Sequence, residues 1–95
     1  MRTISRSTNF KKDFKRILAN PHHSQDAARL LETVLVLLVE DAPLPESCRD
    51  HALAGNWKNH WECHIQPDLL LIYKAGEPNS LELVRLGSHS ELFRR

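Results

Sequence analysis

Three histidines and one carboxylate stand out in this chain of 95 residues. His51 lies in Arg49-Asp50-His51. His64 and Asp68 flank a Gln66-Pro67 step, and His89 closes Arg85-Leu86-Gly87-Ser88-His89. Imidazole titrates near neutral pH, so it both takes and gives protons there. Histidines with a carboxylate and Arg85 meet the three demands of cutting RNA internally without a metal. A base activates the 2′-hydroxyl, a cation steadies the charge on the phosphorane, and an acid protonates the leaving 5′-oxygen. Each acid or base group typically contributes about 10²–10⁴-fold.

The same residue types ligate Zn²⁺. The spacing argues against that use, because the chain has no HExxH and no His-x₃-His on an expected helix. His60 and His64 fall on one expected strand, about two side-chain repeats apart, which is too far for easy chelation. His22 and His23 stand in a polar inter-helix loop and read as exposed bystanders; His60 reads as a partly exposed strand residue. Spacing alone does not bring the three histidine segments together, so unrelated surface and core histidines remain an open reading.

The elements that must position these residues follow from periodicity. Residues 2–6 alternate weakly and are expected to form a first strand. Ser7 or Thr8 can cap a helix in which Phe10, Phe14, Ile17 and Leu18 recur at helical spacing. Lys11, Lys12, Lys15 and Arg16 lie largely off that stripe, and Asn20-Pro21 ends the helix. Ser24 can cap a second helix with Asp26 in its first turn. Its broad apolar face comprises Ala27, Leu30, Leu31, Val34, Leu35, Leu37 and Leu38, so it is the more buried of the pair. A short loop between them predicts a helical hairpin.

Residues 41–45 form a linker, and 46–56 read as irregular. From Trp57 the period becomes two: Trp57, Trp61, Cys63 and Ile65 on one strand face, Lys58, His60, Glu62 and His64 on the other. A tight Pro67–Asp68 turn leads to an apolar strand over 69–73. A loop over 76–79 precedes a strand over 81–86, and 88–93 form a short strand or helical turn returning Leu92 and Phe93 to the body. The order β-α-α-β-β-β, with two N-terminal helices packed on a small twisted, mostly antiparallel sheet, describes a single α+β domain over 1–95.

Composition narrows the function classes. The apolar share of 41% is that of a globular chain. No apolar run approaches the roughly 18–20 residues of a membrane span; residues 30–39 come closest and are interrupted by Glu32 and Thr33. Residues 1–6 lack a hydrophobic signal core, so the expected location is the cytoplasm. Cys48 and Cys63 are expected to be reduced and structural. The net charge of +1 conceals asymmetry: residues 1–20 carry six cations against Asp13, and residues 21–50 two cations against six carboxylates. A basic first helix suits nucleic acid, though on this feature alone a solvated helix face is the favoured reading.

Three segments resemble the YafQ-like branch of the RelE/ParE toxin superfamily. They are Asp50-His51-Ala52-Leu53-Ala54-Gly55-Asn56-Trp57-Lys58, then Glu62-Cys63-His64-Ile65-Gln66-Pro67-Asp68-Leu69-Leu70-Leu71-Ile72-Tyr73-Lys74, then Leu83-Val84-Arg85-Leu86-Gly87-Ser88-His89-Ser90-Glu91-Leu92-Phe93. The resemblance implies the toxin of a type II toxin–antitoxin pair, a metal-independent, ribosome-dependent mRNA endoribonuclease without a cofactor. Its implied partners are a cognate antitoxin, itself DNA-binding and dimeric, and the ribosomal A site with its mRNA and ribosomal RNA. The site residues it implies are His51, His64, Asp68 and His89 for proton transfer, Arg85 for phosphate and Phe93 for packing on base or backbone. We favour His89 as acid and His51 as base, supported by His64 and Asp68. Lys58 and the helix-one cations Lys11, Lys12, Lys15 and Arg16 would contact RNA. Many members carry Trp where this chain has Leu69, which bears on codon preference. Two alternatives remain. One is a ParE-like toxin that inhibits DNA gyrase by binding, against which the histidine set argues. The other is an inactive domain that only binds an antitoxin.

Overall fold

Helical patterning before residue 40 and strand patterning after residue 60 settle into two layers. The computed structural model describes residues 2–20, 24–76 and 79–93. The elements are β1 (Thr3–Arg6), α1 (Thr8–Ala19), α2 (Ser24–Val39), β2 (His51–Ala52), β3 (Trp61–Gln66), β4 (Leu69–Gly76), β5 (Ser80–Gly87) and α3 (His89–Leu92). The strands form one sheet in the order β1-β5-β4-β3-β2, with β1 parallel to β5 and the other pairs antiparallel. The fold is therefore α+β, as expected. It has one short strand, β2, more than the periodicity predicts, and its C-terminal stretch takes the helical of the two expected forms.

Local chemistry explains the boundaries. The Ser7 side chain accepts from the Phe10 N–H at the start of α1. Ser88 and Glu91 cap α3 reciprocally, each side chain accepting from the other's backbone N–H. Pro67 and Asp68 make the β3–β4 turn. The expectations for Pro21, His22 and His23, for the Ser24 cap, and for Glu77 and Pro78 fall outside the described residues and side chains.

One face of the sheet carries the main core. Phe10 and Ile17 of α1 and Ala27, Leu31, Val34 and Leu38 of α2 pack there on Cys63, Leu71, Tyr73, Leu81, Leu83 and Leu86. A second, smaller cluster covers the other face, with Leu70, Ile72 and Leu92 buried and Trp57, Val84 and Phe93 packed against them. Cys48 and Cys63 are both free and buried, as expected, and burial pushes both thiols up.

Several expectations are corrected. Trp57 is not on a strand; Gly55–Trp57 is a 3₁₀ turn, and β3 begins at Trp61. A left-handed Asn59 breaks the path between them. His60 sits in this turn, with its Nδ1 3.1 Å from the Lys58 carbonyl oxygen. On α1, Leu18 is exposed, and the buried positions are Phe10, Asp13 and Ile17. The helix thus turns a carboxylate, rather than its last leucine, toward the sheet.

Candidate active site

Strand alternation gathers the catalytic candidates on the face opposite α2. Glu62 pairs with Ile72, which pairs with Arg85. The next row runs from His64 through Leu70 to Gly87. β2 adds His51 opposite Glu62 at the edge. Glu62 and Arg85 thus lie two strands apart, about 10 Å at the usual spacing.

Arg85 reaches this face because β5 is irregular. The β4–β5 register shifts between Ile72 and Tyr73, so Val84 is an extra residue. Strict alternation would put Arg85 on the core face with Leu81 and Leu83. The bulge instead sends Leu86 to the core and leaves Arg85 beside Ile72.

The centre of the imidazole cluster is a buried carboxylate. Glu62 is 2% exposed. Its Oε1 lies 3.1 Å from His51 Nε2 and 3.7 Å from His64 Nε2. His51 Nδ1 is 2.6 Å from the carbonyl oxygen of Arg49, whose left-handed backbone turns that oxygen inward. His64 meets His89 edge-on, with ring centroids 6.3 Å apart. His89 in turn lies 5.3 Å from the Phe93 ring. No hydrogen bond engages the His89 ring nitrogens among the described residues. Phe93 also meets Trp57 edge-on at 6.2 Å. Asn56, Trp57, Leu92 and Phe93 line an open cleft beside His89.

Arg85 is held from behind. Its Nε donates to Asp13 Oδ2 at 2.6 Å, and its Nη2 lies 3.3 Å from Oδ1. Asp13 also accepts from the Leu86 N–H at 3.0 Å and from Arg16 at 3.0 Å. Burial pushes the Asp13 carboxyl up, but the Arg85 and Leu86 donors and Arg16 outweigh it, so its pKa falls below the ordinary carboxylate value. The Asp13 hydrogen bond in turn holds Arg85 more firmly charged than usual.

The expected residues divide accordingly. His51, His64, His89 and Phe93 come together, and Arg85 lies on the same sheet face two strands from Glu62. Asp68 is exposed in the adjoining turn. Lys58, Lys11, Lys12 and Lys15 are exposed. Arg16 is exposed as well, and it pairs with Asp13 at 3.0 Å and with Glu91 at 3.3 Å. Leu69 is buried in the main core, so its side chain is not a stacking surface.

Two residues were missed, Glu62 and Asp13. Both had a signal in the sequence. Glu62 stands two before His64, on the same strand face. Asp13 interrupts the apolar spacing of Phe10 and Ile17.

Among the described residues, no three His, Cys, Asp or Glu side chains are placed to hold a metal ion. None of the described helices is long and apolar enough to cross a membrane.

A family model described as a bacterial toxin of type II toxin–antitoxin systems, YafQ, matches residues 2–94. The mRNA interferase toxin YafQ of Escherichia coli K12 is 37% identical over 92 residues, 97% of this chain and 96% of that one. A metal-bound toxin from Helicobacter pylori superposes with a TM-score of 0.87 at 45% identity, over 98% of this chain and all of that one. YafQ in the Escherichia coli DinJ–YafQ complex gives 0.82 at 36% identity, over 98% and 99%. The metal is a property of the Helicobacter protein.

Proposed function

The chain belongs to the YafQ family of bacterial toxins of type II toxin–antitoxin systems, and from that premise we propose how its residues perform mRNA cleavage. It is an mRNA interferase, an endoribonuclease. The observation that carries the residue-level reading is the row of His51, His64 and His89 beside Arg85 on one sheet face.

Cleavage proceeds through the 2′-hydroxyl. The base removes its proton, the 2′-oxygen bonds to phosphorus, and the bond to the 5′-oxygen breaks as the acid protonates it. The products are a 2′,3′-cyclic phosphate and a 5′-hydroxyl. His89 serves as acid, because no hydrogen bond ties its ring nitrogens among the described residues. The base role shifts from His51 to His64. His51 Nδ1 is 2.6 Å from the Arg49 carbonyl oxygen and its Nε2 is 3.1 Å from Glu62, so the protein engages both of its ring nitrogens. His64 Nε2, at 3.7 Å from Glu62, is too distant for such a bond and keeps its lone pair available. Arg85 supplies positive charge to the phosphorane. Phe93 stacks on a base beside the cut, and Asp68 orients the strand from the turn.

The ribosome is the surface on which this occurs, in the cytoplasm, with Lys11, Lys12, Lys15 and Lys58 on ribosomal RNA. A cognate antitoxin neutralises the chain, as DinJ binds YafQ in the Escherichia coli complex. Inducible expression in bacteria, with primer extension on a translated reporter, tests the reading. Cuts within codons that vanish with His89→Ala, or when translation is blocked, are expected. Growth arrest with intact mRNA overturns it.

A further inference from the structure

A second buried polar hub lies outside the histidine cluster. Asp13 is 3% exposed, and three separate donor groups converge on its two oxygens. Its place in the sheet explains why. β1 pairs with β5 only from Ser80 to Leu83. Beyond that register the edge of β5 would be bare. α1 crosses it there instead: Ser7 donates to the Val84 carbonyl, Asp13 accepts from the Leu86 N–H, and Arg16 donates to the Leu86 carbonyl at 3.4 Å.

We propose that Asp13 is a positioning residue that fixes the Arg85 guanidinium for the phosphate, an inference resting on the reading of Arg85 as the phosphate-stabilising cation. A planar guanidinium docked along its Nε–Nη2 edge has no freedom to swing. Nη1 meets no protein acceptor among the described residues and is left for substrate. The Arg85 rotamer is therefore set before RNA arrives, and the cost of ordering it does not fall on the reaction. Arg16 extends the same anchor to α3. It pairs with Glu91, whose Oε1 accepts from the Ser88 N–H at 2.8 Å. The charged groups facing Asp13 are thus Arg85, Arg16 and, more distantly, Glu91. One helix thereby holds both the phosphate cation and the segment that carries His89.

A double-mutant cycle with the full chain separates this role from general stability. The variants are Asp13→Asn, Arg85→Ala and the pair. The readouts are single-turnover cleavage of mRNA on bacterial ribosomes, ribosome half-saturation, thermal melting, and exchange protection of the Arg85 Nε–H by nuclear magnetic resonance. Asp13→Asn is expected to lower the saturated rate about 10²-fold with half-saturation unchanged. It is expected to expose the Nε–H, and to cost far less in the Arg85→Ala background, where only the Arg16–Glu91 link to α3 remains to lose. Asp13→Glu, which keeps the charge, recovers part of the rate. Equal losses in both backgrounds, or an Nε–H still protected in Asp13→Asn, overturn the proposal. If Arg85→Ala cleaves normally, the Arg85 reading fails and the inference falls with it. If the wild-type chain cuts nothing, the function reading fails, and the Nε–H protection alone decides whether Asp13 holds Arg85. Should Asp13→Asn not fold, the same readouts on Asp13→Glu decide.

Discussion

His51 is clamped between two acceptors, the Arg49 carbonyl at Nδ1, 2.6 Å away, and the buried Glu62 carboxylate at Nε2, 3.1 Å away. Both ring nitrogens are thus engaged, and the two contacts set the orientation of the imidazole. Glu62→Gln replaces the carboxylate end of that clamp with an amide, so the ring should lose its fixed orientation and cleavage should slow about 10²-fold. Single-turnover cleavage of Glu62→Gln checks this, and a rate like that of the wild type would remove Glu62 from the mechanism.

His89 lies exposed at the start of α3, and its ring meets those of His64 and Phe93. Removing an exposed ring with no hydrogen bonds should change stability by no more than about 0.5 kcal/mol. Removing the acid should cost about 10²–10⁴-fold in rate. Thermal melting and cleavage of His89→Ala, measured on one preparation, check both halves.

Gly87 marks where α1 and α3 close over β5. A Cβ there would stand 2.8 Å from Glu91 Oε1, 3.2 Å from Arg16 Nη2 and 3.3 Å from Leu92 Cδ2. Gly87→Ala should displace the Arg16–Glu91 pair and shift α3, so cleavage should fall more than stability. Unchanged cleavage in a folded Gly87→Ala chain would show that α3 tolerates the shift.

Acid should weaken the fold through Asp13 and Glu91. Both carboxyls titrate below their ordinary values of 3.8 and 4.5, Asp13 against burial and through Arg85, Glu91 chiefly through the Ser88 N–H. On acidification the unfolded chain takes up these protons first. Stability is therefore complete above the ordinary carboxyl range and is lost as pH falls through and below it. Urea midpoints between about pH 6 and about pH 3 should show that decline, with a flatter acid slope in Asp13→Asn.

The cations of α1 should separate by function. Changing Lys11, Lys12 and Lys15 to Gln should weaken ribosome association and flatten its salt dependence, by a slope of about 0.7–0.9 for each phosphate no longer neutralised. Arg16→Gln should leave that slope unaltered and lower the melting temperature, because its charge is spent on Asp13 and Glu91. Sedimentation of ribosomes at several salt concentrations, beside thermal melting, distinguishes the two.

Sequence alone determined the layers, because hydrophobic period is a local property. The stripe of α2, the apolar run of β4 and the Pro67–Asp68 turn are legible without any partner. So are the chemical identities of His51, His64, Arg85 and His89, the last in a segment whose Ser88-x-x-Glu91 spacing is itself a capping signal. Tertiary structure decided how those residues work. Val84 is an ordinary valine in one-letter code; only pairing with β4 makes it a bulge that turns Arg85 to the open face. Asp13 and Arg16 belong to a basic helix until β5 runs out of β1 to pair with, and its bare edge draws them inward. Glu62 becomes the partner of His51 only through antiparallel register between segments that the periodicity leaves independent. Charge and hydrophobicity travel with the residue, whereas a hydrogen-bond partner is set by which strands lie side by side.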